Sequence, residues 1–199
     1  ELLVDCDDPA EKAEYWKIIE TNNDLLLRLI NDILDLSKIE ANILEFVYSD
    51  VDINILLHDL ECSFQFKITH IPDLKIKFIP GLPDCTIHTE KNRFLQVFSN
   101  FITNAIKFTA QGEITFGYRP CDEGLYFYVK DTGIGIPEDK QQKIFDRFIK
   151  LDTFKTGTGL GLSICQTIIQ KLNGSLGVES EEGKGSTFWF ILPCKPLGQ

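Results

Sequence analysis

The sequence predicts an α+β protein: a two-layer α/β sandwich with a mixed sheet and helices on one face, preceded by a long helix. Three observations predict it. After Asp8-Pro9, apolar residues recur at spacings of three and four as far as Ile39. Later segments such as Leu74-Lys-Ile-Lys-Phe-Ile79 alternate with the period of two that marks half-buried strands. Between them, Glu90–Phe108 and Leu160–Leu172 return to the helical period.

Taken in order, Pro9 to about Lys38 is a helix with Asp8 as N-cap and proline at its first position. Its stripe of Leu26, Leu29, Ile30, Ile33, Leu36 and Ile39 calls for a partner helix in a bundle or dimer. Phe46 to Ile53 is a short strand, and Asp52 to Phe66 is an amphipathic helix. The strand Leu74–Ile79 is closed by Pro80-Gly-Leu-Pro83, and Thr86–His88 leads to the helix Glu90–Phe108. Glu113–Arg119 and Leu125–Asp131 form a hairpin across Pro120–Gly124. Lys140–Phe148 and Leu160–Leu172 are helices, the second ended by Asn173-Gly174. Ser175–Ser180 and Ser186–Leu192 make the final hairpin.

The chain has 199 residues, enough for one full domain and an extra element. Its opening, Glu1-Leu-Leu-Val-Asp5, resembles the end of a helix, and no Met is present, so upstream sequence is expected. A net charge of −10 argues against nucleic acid as a partner, because phosphate backbones attract clustered Lys and Arg. Six scattered Cys without a C-x-x-C pair, and three His, predict neither a disulfide framework nor a zinc site.

Two glycine-rich stretches carry the chemistry. Asp131-Thr-Gly-Ile-Gly-Ile136 puts a carboxylate at a strand end, where it can accept a hydrogen bond from an exocyclic amino group such as adenine N6. Gly133 and Gly135 let the backbone approach the ring. Gly157-Thr-Gly-Leu-Gly-Leu162 opens a helix, and its N–H groups make an anion cradle. No Gly-Lys-Ser/Thr follows it, so it is not a Walker loop. Upstream, Asn100, Asn104 and Lys107 share one helical face: two neutral oxygen ligands suited to Mg²⁺, and an ammonium for phosphate. Arg147 and Lys150 are further cations between the two stretches, and Phe145 and Phe148 are anchors for a lid.

The order Asn100…Asn104…Lys107, Asp131-x-Gly-x-Gly135, Phe145…Phe148, Gly157-x-Gly-x-Gly161 and Gly185-Ser-Thr-Phe188 resembles the N, G1, F, G2 and G3 boxes of sensor histidine kinases. Those belong to the gyrase–chaperone–kinase–MutL ATPase superfamily with the Bergerat fold. The similarity covers Glu45 to Pro193, and Asn31-Asp-Ile-Leu-Asp-Leu-Ser-Lys-Ile-Glu40 is similar to the second helix of the family's dimerisation and phosphotransfer hairpin.

The resemblance implies a partial hairpin over 1–44 and an ATP-binding catalytic domain over 45–199. It implies transfer of the γ-phosphoryl group of Mg-ATP to a His, in two-component signalling. Asn100, Lys107, Arg147 and Lys150 would be catalytic, with Asn104 and Asn100 on Mg²⁺. Nucleotide binding would fall to Asn104, Asp131, Gly133, Gly135, Ile136, Phe148, Gly157, Thr158, Gly159, Leu160, Gly161 and Ser186. Implied partners are the upstream phosphoacceptor helix, a response-regulator receiver domain and a second copy of the parent. The fragment would be cytoplasmic, with a parent able to anchor in the inner membrane.

Two departures stand out. The lid, Leu151–Thr156, is short for the family. The phosphoacceptor pattern is absent: His58-Asp59 has no Pro before Pro72, His70 lacks a following acid, and His88 lies in a strand. The acceptor His is therefore expected upstream of Glu1. Two other readings follow from the same residues: a Ser/Thr-directed kinase or ATPase of the same fold, and a non-catalytic nucleotide-sensing module. Hydrolysing relatives carry a carboxylate where this chain has Asn100, which disfavours an ATPase.

Overall fold

The computed structural model describes residues 8–41, 43, 45–149 and 158–197. The first helix, α1, runs Pro9–Glu40, and the Asp8 carboxylate caps it by accepting from the Ala10 N–H at 2.9 Å. It is followed by β1 (Ser49–Asp52), α2 (Ile53–Lys67), β2 (Leu74–Ile79), β3 (Thr86–Thr89) and α3 (Lys91–Phe108). Then come β4 (Gly112–Cys121), β5 (Gly124–Asp131), the single turn α4 (Glu138–Gln141) and a 3₁₀ turn at Lys143–Phe145. The helix α5 (Gly161–Lys171) and the hairpin β6 (Ser175–Glu181) and β7 (Gly185–Leu192) complete the chain.

The main sheet has the order β2-β4-β5-β7-β6, parallel at β2–β4 and antiparallel elsewhere, so it is mixed as expected. A two-stranded sheet, β1–β3, stands beside it. Alternation sorts the residues: Leu125, Phe127, Val129 and Asp131 of β5 face inward, while Tyr126 and Tyr128 face out. The helices α2, α3 and α5 lie on the inner face. There α3 inserts Phe94 and Phe98 among Phe116, Phe127 and Phe190, with edge-on contacts of 5.1 Å (Phe94–Phe127) and 5.4 Å (Phe98–Phe190). All five rings are fully buried, so this cluster fixes α3 against the sheet.

Several boundaries differ from the sequence reading, each for a local reason. The first strand covers only Ser49–Asp52, because its partner β3 ends at Thr89 where Glu90 begins to cap α3. The β4–β5 hairpin is longer than expected and turns at Asp122-Glu123. Pro120 is tolerated in β4 because β2 stops pairing at Gly117 and leaves that edge free. The expected helix Lys140–Phe148 breaks into α4 and the 3₁₀ turn, and Phe148 has a φ of 64°. Packing overrides periodicity here: Gln141 Nε2 donates to Ile136 O and Ser180 O, while Ile144 is buried and Phe145 packs against the core.

The stripe of α1 divides in two. Ile39 is buried and Leu36 packs on the core, whereas Leu26, Ile30 and Ile33 remain about half exposed. No helix among the described residues is long and apolar enough to cross a membrane.

Candidate functional site

The helix α3, the loop after β5 and the start of α5 enclose one cavity of about 770 Å³, within the usual size of small-molecule sites. Asn100, Asn104 and Lys107 all line it, as their shared helical face requires. Cys165 of α5 neighbours Asn100, and burial pushes its thiol up to about 12. Lys107 Nζ lies 4.9 Å from the centre of the Phe108 ring.

At the opposite wall Asp131 is 5% exposed at the end of β5. Burial raises its carboxyl above the ordinary carboxylate range, while the N–H groups of Gly133 and Ser186 favour the ionised form. The Gly133 N–H bond measures 2.8 Å. Ile134, Ile136, Ile144 and Phe188 give this end an apolar lining. Gly135 has a φ of 68°, and a Cβ there would lie 2.0 Å from Glu181 O, so a side chain is excluded on both grounds.

A serine pair sets the polarity beside Asp131. Ser180 Oγ accepts from the Ile136 N–H and donates to Gly185 O, so its one hydrogen is committed. Ser186 Oγ, 3.0 Å from Ser180 Oγ, must then be the donor of that pair. Its lone pairs remain for the cavity, next to the carboxylate. Thr109 Oγ1 is buried against the same carboxylate, yet it meets no described partner with hydrogen-bond geometry. A base carrying an amino group, with an ordered water beside it, satisfies this set of acceptors and the orphaned hydroxyl.

The third wall is Thr158, Gly159 and Gly161. The first turn of α5 has no side-chain cap, so its N–H groups are available to an anion. A Cβ at Gly161 would sit 2.9 Å from Asn100 Oδ1, so the cradle and the amide face approach as closely as glycine permits.

Of the other sequence-predicted positions, Gly133 acts through its N–H on Asp131 and Leu160 is buried beneath the cradle. Arg147 and Phe148 are exposed and lie off the lining, although the Phe148 N–H donates to Gly159 O. Lys150, Gly157 and the lid Leu151–Thr156 fall outside the described residues. His58, His70 and His88 are exposed and away from the cavity, with His58 beside Glu61 and His88 beside Asp50. Sequence reasoning missed Thr109, although it follows directly on the Asn–Asn–Lys helix. It also missed Ser180, Lys67, and Leu25 and Asp32 of α1, for which no local signal exists.

Among the described residues no group of three or more His, Cys, Asp or Glu could hold a metal ion. A divalent ion would rest on the asparagine carbonyls and on oxygens supplied by its ligand.

Residues 89–196 match the family described as "Histidine kinase-, DNA gyrase B-, and HSP90-like ATPase". The chain is 36% identical, over its whole length, to the aerobic respiration control sensor protein ArcB of Escherichia coli (strain K12), of which it spans 26%. Full-length ShkA, solved in complex with AMPPNP, superposes with a TM-score of 0.83 at 32% identity, covering 100% of this chain and 42% of ShkA. The histidine kinase ThkA, solved in complex with the response regulator protein TrrA, superposes at 0.73 with 27% identity, covering 93% of this chain and 52% of ThkA. The chain thus spans about a quarter of ArcB and under half of ShkA. A family matched over more than half the chain, with the ArcB and ShkA similarities, places this protein in the histidine kinase, gyrase B and HSP90-like ATPase family, as the catalytic domain of a sensor histidine kinase.

Proposed function

We propose that this chain binds Mg-ATP and donates its γ-phosphoryl group to a histidine on a helix upstream of Glu1. The observation that carries the reading is the single cavity joining the buried Asp131 carboxylate, the Asn100–Asn104–Lys107 face and the Thr158–Gly161 cradle. Asp131 and Ser186 accept from adenine N6, directly or through water, and guanine, with an oxygen at that position, is refused. Asn104 and Asn100 offer carbonyl oxygens to Mg²⁺, which supplies charge neutralisation at the phosphates. Lys107 meets the phosphates from α3, and Arg147 and Lys150, which precede the lid in sequence, complete the set once nucleotide is bound. With no carboxylate at Asn100, water is not activated. The residues hold the γ-phosphorus for attack by an imidazole nitrogen, and positioning with electrostatic neutralisation supplies most of the rate.

On this reading 1–44 is the second helix of a dimerisation and phosphotransfer hairpin, and 45–199 is the catalytic domain. The half-exposed stripe Leu26–Ile30–Ile33 supports a partner helix there. The ThkA–TrrA complex supports a receiver domain as the downstream partner. Calorimetric titration of ATP on the chain and on Asn104→Ala, with and without Mg²⁺, tests the pocket. Binding should be metal-dependent and about tenfold weaker in the variant, in line with the loss of one good polar contact. A folded chain that binds no nucleotide under either condition would sink the proposal.

Asp131 also sets a pH dependence. Its raised pKa means that protonation, and with it loss of the N6 acceptor, begins above the ordinary carboxylate range. Affinity should fall about tenfold per pH unit once pH drops below that value. The stability of the unliganded chain moves the other way. In the window between the unfolded and the raised folded pKa the native state binds more protons, so this group's contribution to stability declines as pH rises. Titrations and thermal scans across mildly acidic pH check both signs.

A further inference from the structure

One face of α1 reaches the phosphate end of the cavity. Asp32 lines it, and Asp32 Oδ2 accepts from Thr158 Oγ1 at 2.8 Å. One turn further, Asp35 Oδ2 accepts from Arg93 Nη1 at 2.9 Å and from Gln96 Nε2 at 2.8 Å. Arg93 Nη1 also donates to Gln96 Oε1 at 2.7 Å, which closes a three-residue ring. The Asp35 and Arg93 side chains are only 18% and 21% exposed, so this pair is better shielded from solvent than a surface ion pair. Together these contacts pin α1 across the start of α3 and onto the cradle.

Thr158 holds the one side-chain donor of the segment Thr158–Gly161. Its hydroxyl accepts from the Leu160 N–H and spends its hydrogen on Asp32. A phosphate oxygen arriving at the cradle is also an anionic acceptor. It competes for that hydrogen and meets a like charge at short range.

We propose that Asp32, at the edge of the phosphate cradle, is an internal competitor for the Thr158 hydroxyl, so that docking of α1 and binding of the nucleotide oppose each other. The inference rests on the nucleotide reading above and adds regulation to the same site. The clamp at Asp35 positions Asp32, whose carboxylate holds the Thr158 hydroxyl at the edge of the cradle when α1 is docked. Linkage makes the effect reciprocal: the factor by which docking weakens the nucleotide is the factor by which nucleotide loosens α1. A signal that moves α1 then changes nucleotide affinity without touching the base pocket.

The test uses the full chain, as wild type, Asp32→Asn and Arg93→Ala, with folding checked by thermal scans. Mg-AMPPNP affinity is read by calorimetry, and hydrogen exchange of α1 is followed with and without nucleotide. Asp32→Asn keeps an acceptor for Thr158 but removes the charge, and should bind about tenfold tighter. Arg93→Ala releases the clamp from outside the cavity and should also tighten binding. Nucleotide should speed exchange across Leu25–Leu36, since an undocked helix frays. Wild-type binding with both variants unchanged or weaker, and α1 exchange unmoved, would overturn this inference alone. Folded proteins that all fail to bind would overturn the nucleotide reading and this inference with it.

Discussion

Replacing Asp131 by asparagine should weaken Mg-ATP binding about a hundredfold, at the upper end of what one charge-assisted hydrogen bond contributes. The size follows from the donors that surround the carboxylate. Burial raises its pKa, and the Gly133 N–H and the Ser186 N–H work against that by favouring the ionised form. Adenine N6 adds a further donor. A carboxylate accepts at both oxygens and satisfies them together, whereas an asparagine must turn its own NH₂ toward one of them. Either the base loses its acceptor or a buried N–H loses its partner, and the second choice costs about 1–3 kcal/mol. Calorimetry on the variant gives the affinity, and a parallel titration with GTP gives the selectivity. Near-wild-type ATP affinity in Asp131→Asn would show that another group reads the base.

Much of this site was legible because its chemistry restricts residue types at fixed spacings. Asn100, Asn104 and Lys107 share a face in any α-helix, so the wall they form followed from the sequence as soon as α3 was read. Asp131 at the end of an alternating strand was legible in the same way. The fold class emerged from period-two and period-3.6 segments, and the mixed order β2-β4-β5-β7-β6 agrees with it. What failed to show depends on contacts between distant parts of the chain. The segment Lys140–Phe148 has helical periodicity, but its course is set by Gln141 bonding to Ser180 and by Ile144 turning inward. The Asp32–Thr158 contact joins residues 126 positions apart, with no pattern at either end to announce it. Thr109 was hidden differently, because a hydroxyl at a helix end looks like any capping residue until its burial is known.

Gly133→Ala is the second large effect, and it separates space from backbone conformation. The structure records no positive φ at Gly133, so alanine is not forbidden there by its dihedrals. Space forbids it. A Cβ would lie 2.5 Å from Phe108 O and 2.8 Å from both Asp131 Oδ1 and Thr109 Oγ1. Two of those atoms belong to the last residue of α3 and to the C-cap Thr109, and the third is the acceptor itself, so relief requires the turn after β5 to move away from α3. That movement carries the carboxylate off its N–H partners and out of line with the base. ATP affinity should drop about a hundredfold, as it does when the acceptor is lost. The turn is peripheral to the aromatic core, so the chain should remain folded and Tm should fall by only a few degrees. Gly183→Ala is the matched control. It has open space around its Cβ but a φ of 82°, so it should cost about 1–2 kcal/mol of stability and leave nucleotide affinity unchanged. Calorimetry and thermal scans on the two variants give opposite patterns if Gly133 is there to let the backbone and the carboxylate close on the base. Equal affinities in both would mean that the turn after β5 can shift without disturbing recognition.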